Sequence, residues 1–249
     1  MPRTYSFSLG FENDSFGNPF FAAFPFIFEG NPVEGISCGI SSIFAGDMKY
    51  DRMNQNRQAL FAKLKLNPEN VYGLKQVHSH SVVLVDSNNP PACEADGMVT
   101  DDRNVTLSIT VADCLSVFLL DTKSGVFALV HSGWKGTGIV LNALNLMKER
   151  WGTAPGDVAT ILGPCIGSCC YKVDAERAAV FEKEFGSESV RKSGGDFYLD
   201  MKAANIKLLS DTGVKNIAVC GDCTFTDKRL GSFRREGTCF THMAALVNC

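Results

Sequence analysis

Residues 106–150 read TLSITVADCLSVFLLDTKSGVFALVHSGWKGTGIVLNALNLMKER. Three runs rich in β-formers, Thr106–Val111, Ser116–Leu120 and Val126–His131, read as central strands. The run that follows, Thr137–Arg150, has helical spacing: Ile139, Val140, Ala143, Leu144, Leu146 and Met147 fall on one face. Thr137 stands where a helix cap belongs, and Lys148 and Arg150 suit the C-terminal dipole. Three strands before a single helix break any strict βαβ alternation. The pattern therefore predicts an α+β fold with mixed sheets.

The flanks extend the same mixture. Toward the N-terminus, Phe20–Phe28 and Ile36–Phe44 read as strands and Arg52–Leu66 as a helix, with Met53, Ala59, Leu60, Phe61 and Leu64 apolar and Pro68 beyond. Val71–Lys75, Val82–Val85 and Gly97–Thr100 are short strands. Toward the C-terminus, Val158–Leu162 and Ile217–Cys220 are strands. Asp174–Phe185 and Asp200–Asp211 are helices that open on a capping Asp and stop at Gly186 and Gly213. Leu230–Arg235 and Cys239–Val247 read as a hairpin around Glu236-Gly237. The most broken stretch, Asp86–Ala95 with Pro90 and Pro91, is a surface loop rather than a linker, so residues 1–249 are expected to form one domain.

Composition narrows the class. The chain has 249 residues, 45% apolar and 20% charged, which excludes disorder, collagen and coiled coil. Lys and Arg number 24 against 27 Asp and Glu, a net charge of −3, so no nucleic-acid partner is expected, although one local cation suffices for a small anion. Phe20–Phe28 is broken by Pro25, lacks a basic flank and is too short to span a bilayer. The expectation is a cytoplasmic protein with no secretory signal and no membrane partner. Ten cysteines are many, yet too few for a small disulfide scaffold; reduced thiols, metal ligation or catalysis are the readings they support.

Only four histidines occur, so their places carry information. His78, Cys114 and His131 each end an apolar run and begin a turn, and strand ends on one edge of a sheet commonly converge. Two imidazoles and a thiolate suit Zn²⁺, and three protein ligands leave the fourth position open, as catalytic zinc does. The same residues also fit a buried Cys with two hydrogen-bonded His. In His131-Ser-Gly-Trp-Lys-Gly-Thr-Gly138 three glycines lead into a helix whose free N–H groups, with Lys135, can hold an anion; a flexible turn with an exposed Lys is the plainer alternative. Its spacing is that of neither a P-loop nor a dinucleotide fingerprint.

Cys165, Cys169 and Cys170 lie in one segment whose P-C-x-x-x-C spacing fails the zinc-deaminase pattern. Adjacent Cys169 and Cys170 point apart in an extended chain, so packing is expected rather than joint ligation. Cys220-Gly-Asp-Cys223 is a C-x-x-C without a second pair, followed by an apparent loop where a redox dithiol would open a helix. His80 is expected to face away from His78, and His242 to be a core or surface residue. Arg234-Arg235 reads as a charged hairpin with an optional anion contact, and Arg57 as part of a solvated helix face.

Taken together, Gln-Val-His78, Asp96-Gly97, Ala-Asp-Cys114, His131-x-Gly-Trp-x-Gly, Gly-Pro-x-Ile-Gly-x-Cys-Cys-Tyr171 and Ser-Phe-Arg-Arg235 occur in one order. In this the chain resembles the bacterial YfiH family, also called laccase-domain or multicopper-polyphenol-oxidase-like proteins, over roughly residues 55–247. The resemblance implies a layered α/β/β/α sandwich, distantly similar to a toxin cysteine hydrolase. It implies zinc on His78, Cys114 and His131. It further implies phosphorolysis of purine nucleosides, adenosine or inosine with phosphate as partners, alongside attributions of adenosine deamination, methylthioadenosine phosphorolysis, peptidoglycan-precursor editing and copper-dependent phenol oxidation. Lys135 and the Gly133–Gly138 turn would then hold phosphate. Asp96 or Asp113 would orient a ligand His or shuttle a proton, and Arg57 and Arg235 are further candidates for substrate contact.

The chain departs from the family pattern at Ser116, Lys135 and His242, where Pro, Arg and Arg are usual, and it has no equivalent of the N-terminal Gly-Gly-Val-Ser in Glu34–Phe44. Competing readings are a metal-free hydrolase or amidase with Cys114 as nucleophile and His78 or His131 as base, and a non-catalytic zinc-binding protein. Copper oxidation is disfavoured: blue-copper sites do use two His and one Cys, but a multicopper oxidase needs roughly ten His and the four here cannot supply them.

Overall fold

The computed structural model describes residues 2–51, 53–88 and 94–249. Among them, one sheet holds seven strands in the spatial order Arg3–Phe7 (β1), Asn216–Cys220 (β17), Val158–Leu162 (β13), Leu115–Asp121 (β11), Phe127–Ser132 (β12), Gly97–Thr100 (β9) and Val82–Leu84 (β8). A second holds six: Phe11–Asn13 (β2), Pro19–Phe24 (β3), Ser37–Ser41 (β6), Met243–Asn248 (β18), Thr106–Val111 (β10) and Val71–Gly73 (β7). Small ribbons pair Lys172–Val173 (β14), Val190–Ser193 (β15) and Asp196–Leu199 (β16), and Ile27–Phe28 (β4) with Asn31–Pro32 (β5). Helices α1 (Gln55–Lys63), α2 (Ile139–Trp151), α3 (Ala175–Phe185), α4 (Met201–Thr212) and the single turn α5 (Phe233–Glu236) complete the set. Both large sheets mix parallel and antiparallel neighbours.

Side-chain parity explains the layers. Strand β11 is buried along its whole length. Leu115, Val117 and Leu119 point to a core shared with Ala143 and Met147 of α2, Phe181 of α3 and Leu209 of α4. Phe118 and Leu120 point the other way, into a core shared with Phe24, Leu107, Ile109 and Val247 of the second sheet. The far face of that second sheet packs Phe20 and Leu246 on Leu60 and Phe61 of α1. The order is helices, sheet, sheet, helix, as the layered sandwich expectation had it. The inner layer buries Phe118 completely, edge-on to Phe24 at 5.4 Å, and each such ring contributes roughly 1.5–3 kcal/mol.

Several elements differ from the sequence reading. Phe20–Phe28 is two strands, because Pro25 cannot donate to a ladder. Ile36–Phe44 ends its strand at Ser41 and turns into a 3₁₀ turn capped by Ser42. The first helix begins at Gln55, not Arg52, because the Asn54 side chain accepts the N–H groups of Asn56 and Arg57; Arg52 itself lies outside the described residues, as do Pro90, Pro91 and Cys93 of the surface loop. Thr137 does not cap α2. Its hydroxyl donates to Gly133 O, and left-handed Gly138 is the cap residue. The C-terminal hairpin is absent: Ser232 Oγ accepts the Arg235 N–H and starts α5, while β18 is a central strand between β10 and β6.

A candidate active site at the seam between the two sheets

The chain crosses from one sheet to the other between β10 and β11, through Ala112-Asp113-Cys114. His78 lies five residues beyond β7, the parallel neighbour of β10. His131 lies in β12, opposite Ser116 of β11. The three side chains thus come from the seam between two sheets rather than from one sheet edge. Their ligand-capable atoms lie within 4.8 Å of one another, and the His78 and His131 rings meet edge-on at 4.8 Å.

A single carboxylate organises them. Asp96 is fully buried. It accepts the backbone N–H groups of Val77, His78 and Ser79 at 3.2, 3.0 and 2.7 Å, and the Ser79 hydroxyl at 2.8 Å. Its Oδ1 also lies 2.9 Å from His131 Nδ1. A carboxylate only accepts, so Nδ1 carries the proton and Nε2 is left for Cys114 or a ligand. The bonds from residues 77–79 hold His78 in a left-handed conformation, φ 60°, that a non-glycine side chain seldom adopts. Asp113 beside Cys114 is also left-handed, φ 77°. Its carboxylate accepts the Thr224 hydroxyl at 2.6 Å and the Arg234 N–H at 2.7 Å.

Electrostatics follow from this packing. Burial alone would raise the Cys114 thiol, but the His131 charge and hydrogen bond, helped by His78, bring it down to about 6. Burial alone would lower His131; the Cys114 thiolate and the Asp96 carboxylate push it up to about 9. Burial would raise Asp96, yet the His131 ring and the Ser79 N–H and hydroxyl hold it well below the usual carboxylate range. Gly133 makes the approach possible: a Cβ there would sit 2.9 Å from Cys114 Sγ and 3.2 Å from the His78 ring.

The triad floors a cleft of about 550 Å³, within the usual size of a small-molecule site. Trp134, Tyr171, Phe233 and Phe240 form its aromatic walls, and Arg177, Arg234 and His242 supply cationic or titratable groups. Phe233 and Phe240 meet edge-on at 5.3 Å, and Phe233 is 53% exposed. Arg177 stacks on Trp134 at 4.5 Å, and Arg234 lies over Tyr171 at 5.1 Å. His242 Nδ1 rests on Asp47 Oδ1 at 2.8 Å, leaving Nε2 for the cleft. Gln76 locks the wall by exchanging three hydrogen bonds with Thr110.

The other expected contacts are placed differently. Lys135 is exposed, lies 5.6 Å from the centre of the Trp134 ring and does not line the cleft. Arg57 is buried and does not line the cleft, donating to Met48 O and Ser108 Oγ between the Tyr50 and Phe61 rings; it is a strut, not a solvated helix face. Arg235 spends its fork on the carbonyls of Thr224, Phe225, Asp227 and Leu230 and on Glu236, tying a loop. His80 is not part of the cluster: its Nε2 lies 3.0 Å from Thr137 O. The sequence reading passed over Arg177, because Asp174-x-x-Arg177 looks like an ordinary solvated helix pair, and over the aromatic walls, which are distant in sequence. A second group of thiols also converges. Cys169 and Cys170 do not point apart; they sit in a turn with their sulfurs 3.3 Å apart, and Cys223 joins them.

The resemblance implies a metal, and the donor set fits one. Two imidazoles and a low-lying thiol converge on one point, and the carboxylate behind His131 is the usual support of a ligand histidine. Among the described residues, no helix is long and apolar enough to cross a membrane.

Comparisons with known proteins agree with this architecture. The chain is 34% identical over 188 residues to a purine nucleoside phosphorylase of Corynebacterium glutamicum, covering 74% of this chain and 76% of that one. It is 32% identical over 234 residues to the purine nucleoside phosphorylase YlmD of Geobacillus stearothermophilus, covering 87% and 84%. The crystal structure of that YlmD superposes with a TM-score of 0.80 at 26% identity over 96% of this chain and 98% of the other. YfiH of Bacillus licheniformis shares the fold, with a TM-score of 0.76 at 24% identity over 86% and 92%. Residues 32–249 match the family model described as multi-copper polyphenol oxidoreductase laccase, and the chain belongs to that family.

Proposed function

We propose that the cleft performs phosphorolysis of purine nucleosides, adenosine and inosine among them, with zinc held by His78, Cys114 and His131. The observation that carries the reading is one cleft joining an Asp96-braced His–Cys–His cluster, two arginines and four aromatic rings. Relatives named purine nucleoside phosphorylase at 32–34% identity support it.

Phosphorolysis needs an inorganic phosphate oxygen placed at C1′ while the bond from C1′ to the purine nitrogen breaks. The bonding pair leaves with the base, which takes up a proton, and the sugar keeps the phosphate as ribose 1-phosphate. Arg177 and Arg234 suit the phosphate: both line the cleft, and a guanidinium fork matches phosphate oxygens. Their stacking on Trp134 and Tyr171 fixes their planes. Phe233 and Phe240 offer faces to the base. His242 Nε2, with Nδ1 steadied by Asp47, is placed to give the leaving base its proton. His78, Cys114 and His131 would hold the zinc, which would supply Lewis-acid polarisation of a substrate oxygen. Asp96 keeps the His131 proton on Nδ1, and Gly133 keeps the cluster closed.

The assay incubates the zinc-loaded protein with adenosine or inosine, with and without phosphate, beside Cys114→Ala. Free base and ribose 1-phosphate are expected only with phosphate and only in the unsubstituted protein. Inosine formed from adenosine without phosphate would replace this reading with deamination.

A second reading rests on the same cluster. Cys114 lowered to about 6 and His131 raised to about 9, with Asp96 behind, form a Cys–His–Asp arrangement suited to a metal-free hydrolase. Zinc that blocks alkylation of Cys114 while supporting turnover would count against it.

A further inference from the structure

Outside the cleft, the loop after β13 and the loop after β17 meet, with Cys165 and Cys223 forming an isolated parallel bridge. The first loop turns at Ser168–Cys170, where Cys170 N–H and Tyr171 N–H both donate to Gly167 O at 2.9 Å. The second coils at Cys223, whose carbonyl accepts the Asp227 N–H. The turn and the coil bring Cys169, Cys170 and Cys223 together with all three sulfurs within 4.8 Å. Gly167 N–H donates to Cys223 Sγ at 3.2 Å, and a Cβ on Gly167 would stand 3.3 Å from Cys169 Sγ. Cys220, the other half of the C-x-x-C, faces the core between the sheets and takes no part. None of the three sulfurs lines the cleft.

We propose that Cys169, Cys170 and Cys223 form a second metal site, which takes one thiophilic univalent d¹⁰ cation, Cu(I) being the representative, in three-coordinate all-sulfur ligation. The donor set is purely thiolate, which selects soft ions. Metal–sulfur bonds of about 2.3 Å put ligand sulfurs just under 4 Å apart, so the present spacing needs only small side-chain rotations. Structural zinc asks for four ligands. Among the described residues the cluster offers three, and no His, Asp or Glu ligand atom lies within 4.8 Å of all three sulfurs. Binding releases the three thiol protons to solvent and changes no oxidation state. The anionic complex lies near Arg191, which donates to Ser168 O at 2.8 Å, and Lys202, which reaches the carbonyls of Cys220 and Asp222. Cys169 is exposed and gives the ion an entrance.

The site staples two walls of the cleft. Ile166 and Tyr171, from the first loop, line it. Thr224, next to Cys223, holds Asp113 beside Cys114.

The test uses the full chain carrying Cys114→Ala, which removes the cleft cluster as a competitor. The reduced protein is titrated anaerobically with Cu(I) against a chromophoric chelator, and separately with Zn²⁺. One Cu(I) per chain is expected to be retained through gel filtration, with zinc held at least tenfold more weakly. Adding Cys169→Ser, at an exposed position, is expected to weaken Cu(I) at least tenfold. Adding Cys223→Ser is expected to do the same, with circular dichroism confirming the fold of each. Retention that ignores both substitutions overturns the proposal. So does zinc bound more tightly than Cu(I).

Discussion

Asp96 accepts three successive backbone N–H groups, a hydroxyl and an imidazole, so its charge holds the His78 loop and the His131 ring at once. Asp96→Asn keeps the shape but turns an amide NH₂ toward donors. The expected cost is about 3 kcal/mol in denaturant unfolding, as for other broken buried charge networks, with turnover lost. The pH profile gives the sign. The folded Asp96 lies below its unfolded value near 3.9, so its contribution is complete above pH ~4 and is lost as pH falls below that. The asparagine variant should therefore show a flatter acid limb. In metal-free protein the Cys114–His131 ion pair should persist between about pH 6 and about pH 9. Alkylation of Cys114 should accordingly switch on near pH 6; onset near pH 9 would count against the pairing. The sequence showed Asp96 as one of two acids able to orient a histidine. It could not show which, because Asp113 stands next to Cys114 yet its carboxylate is spent on Thr224 and Arg234. Arg177 was silent for a related reason: nothing local distinguishes a helix-face arginine that stacks on Trp134 across the cleft from a solvated one.

At the scale of elements, two glycines separate local geometry from site geometry. Gly152 ends α2 in a left-handed conformation, φ 70°, with nothing within 4 Å of a would-be Cβ. Gly133 is needed for space, since its Cβ would press on Cys114 Sγ and the His78 ring. Gly152→Ala should cost about 1 kcal/mol of stability and leave turnover unchanged. Gly133→Ala should leave melting within a few degrees but lower metal retention roughly tenfold or more, as displaced supports of metal ligands do. Equal effects of the two on metal content would refute the crowding argument. Elements with strong periodicity were legible: α2, α3 and α4, and strands β10 to β13, stand within two residues of their sequence reading. The hairpin was not, because Leu230–Arg235 alternates only weakly and the Ser232 cap, with Arg235 holding four carbonyls, decides for a helical turn. The thiol turn at Cys169 and Cys170 was missed because residue-by-residue alternation holds only for extended chain.

For the whole molecule, the decisive fact is that the cluster bridges layers. His131 belongs to the seven-stranded sheet, His78 follows a strand of the six-stranded sheet, and Cys114 lies on the connection between them. The order of strands and helices showed an α+β fold with mixed sheets and the family resemblance implied the layered sandwich, but the pairing of residues 78 and 131 depends on how two sheets face each other across Phe24, Phe118 and Ile109. Spacing along the chain does not encode that. An ion held at the triad binds the folded state and not the unfolded one, so it acts on the stability of the entire sandwich. At metal a thousandfold above its dissociation constant the gain is about 4 kcal/mol, roughly a 10 °C rise in Tm for a chain of this length. Calorimetry of zinc-loaded and chelator-stripped protein should show that difference as one cooperative transition moving together, because the ligands span both sheets. Cys114→Ala should melt at one temperature with or without chelator. A stripped protein that instead melts in two steps, with the six-stranded sheet opening first, would mean that the two layers fold separately and that the core around Phe118 does not couple them.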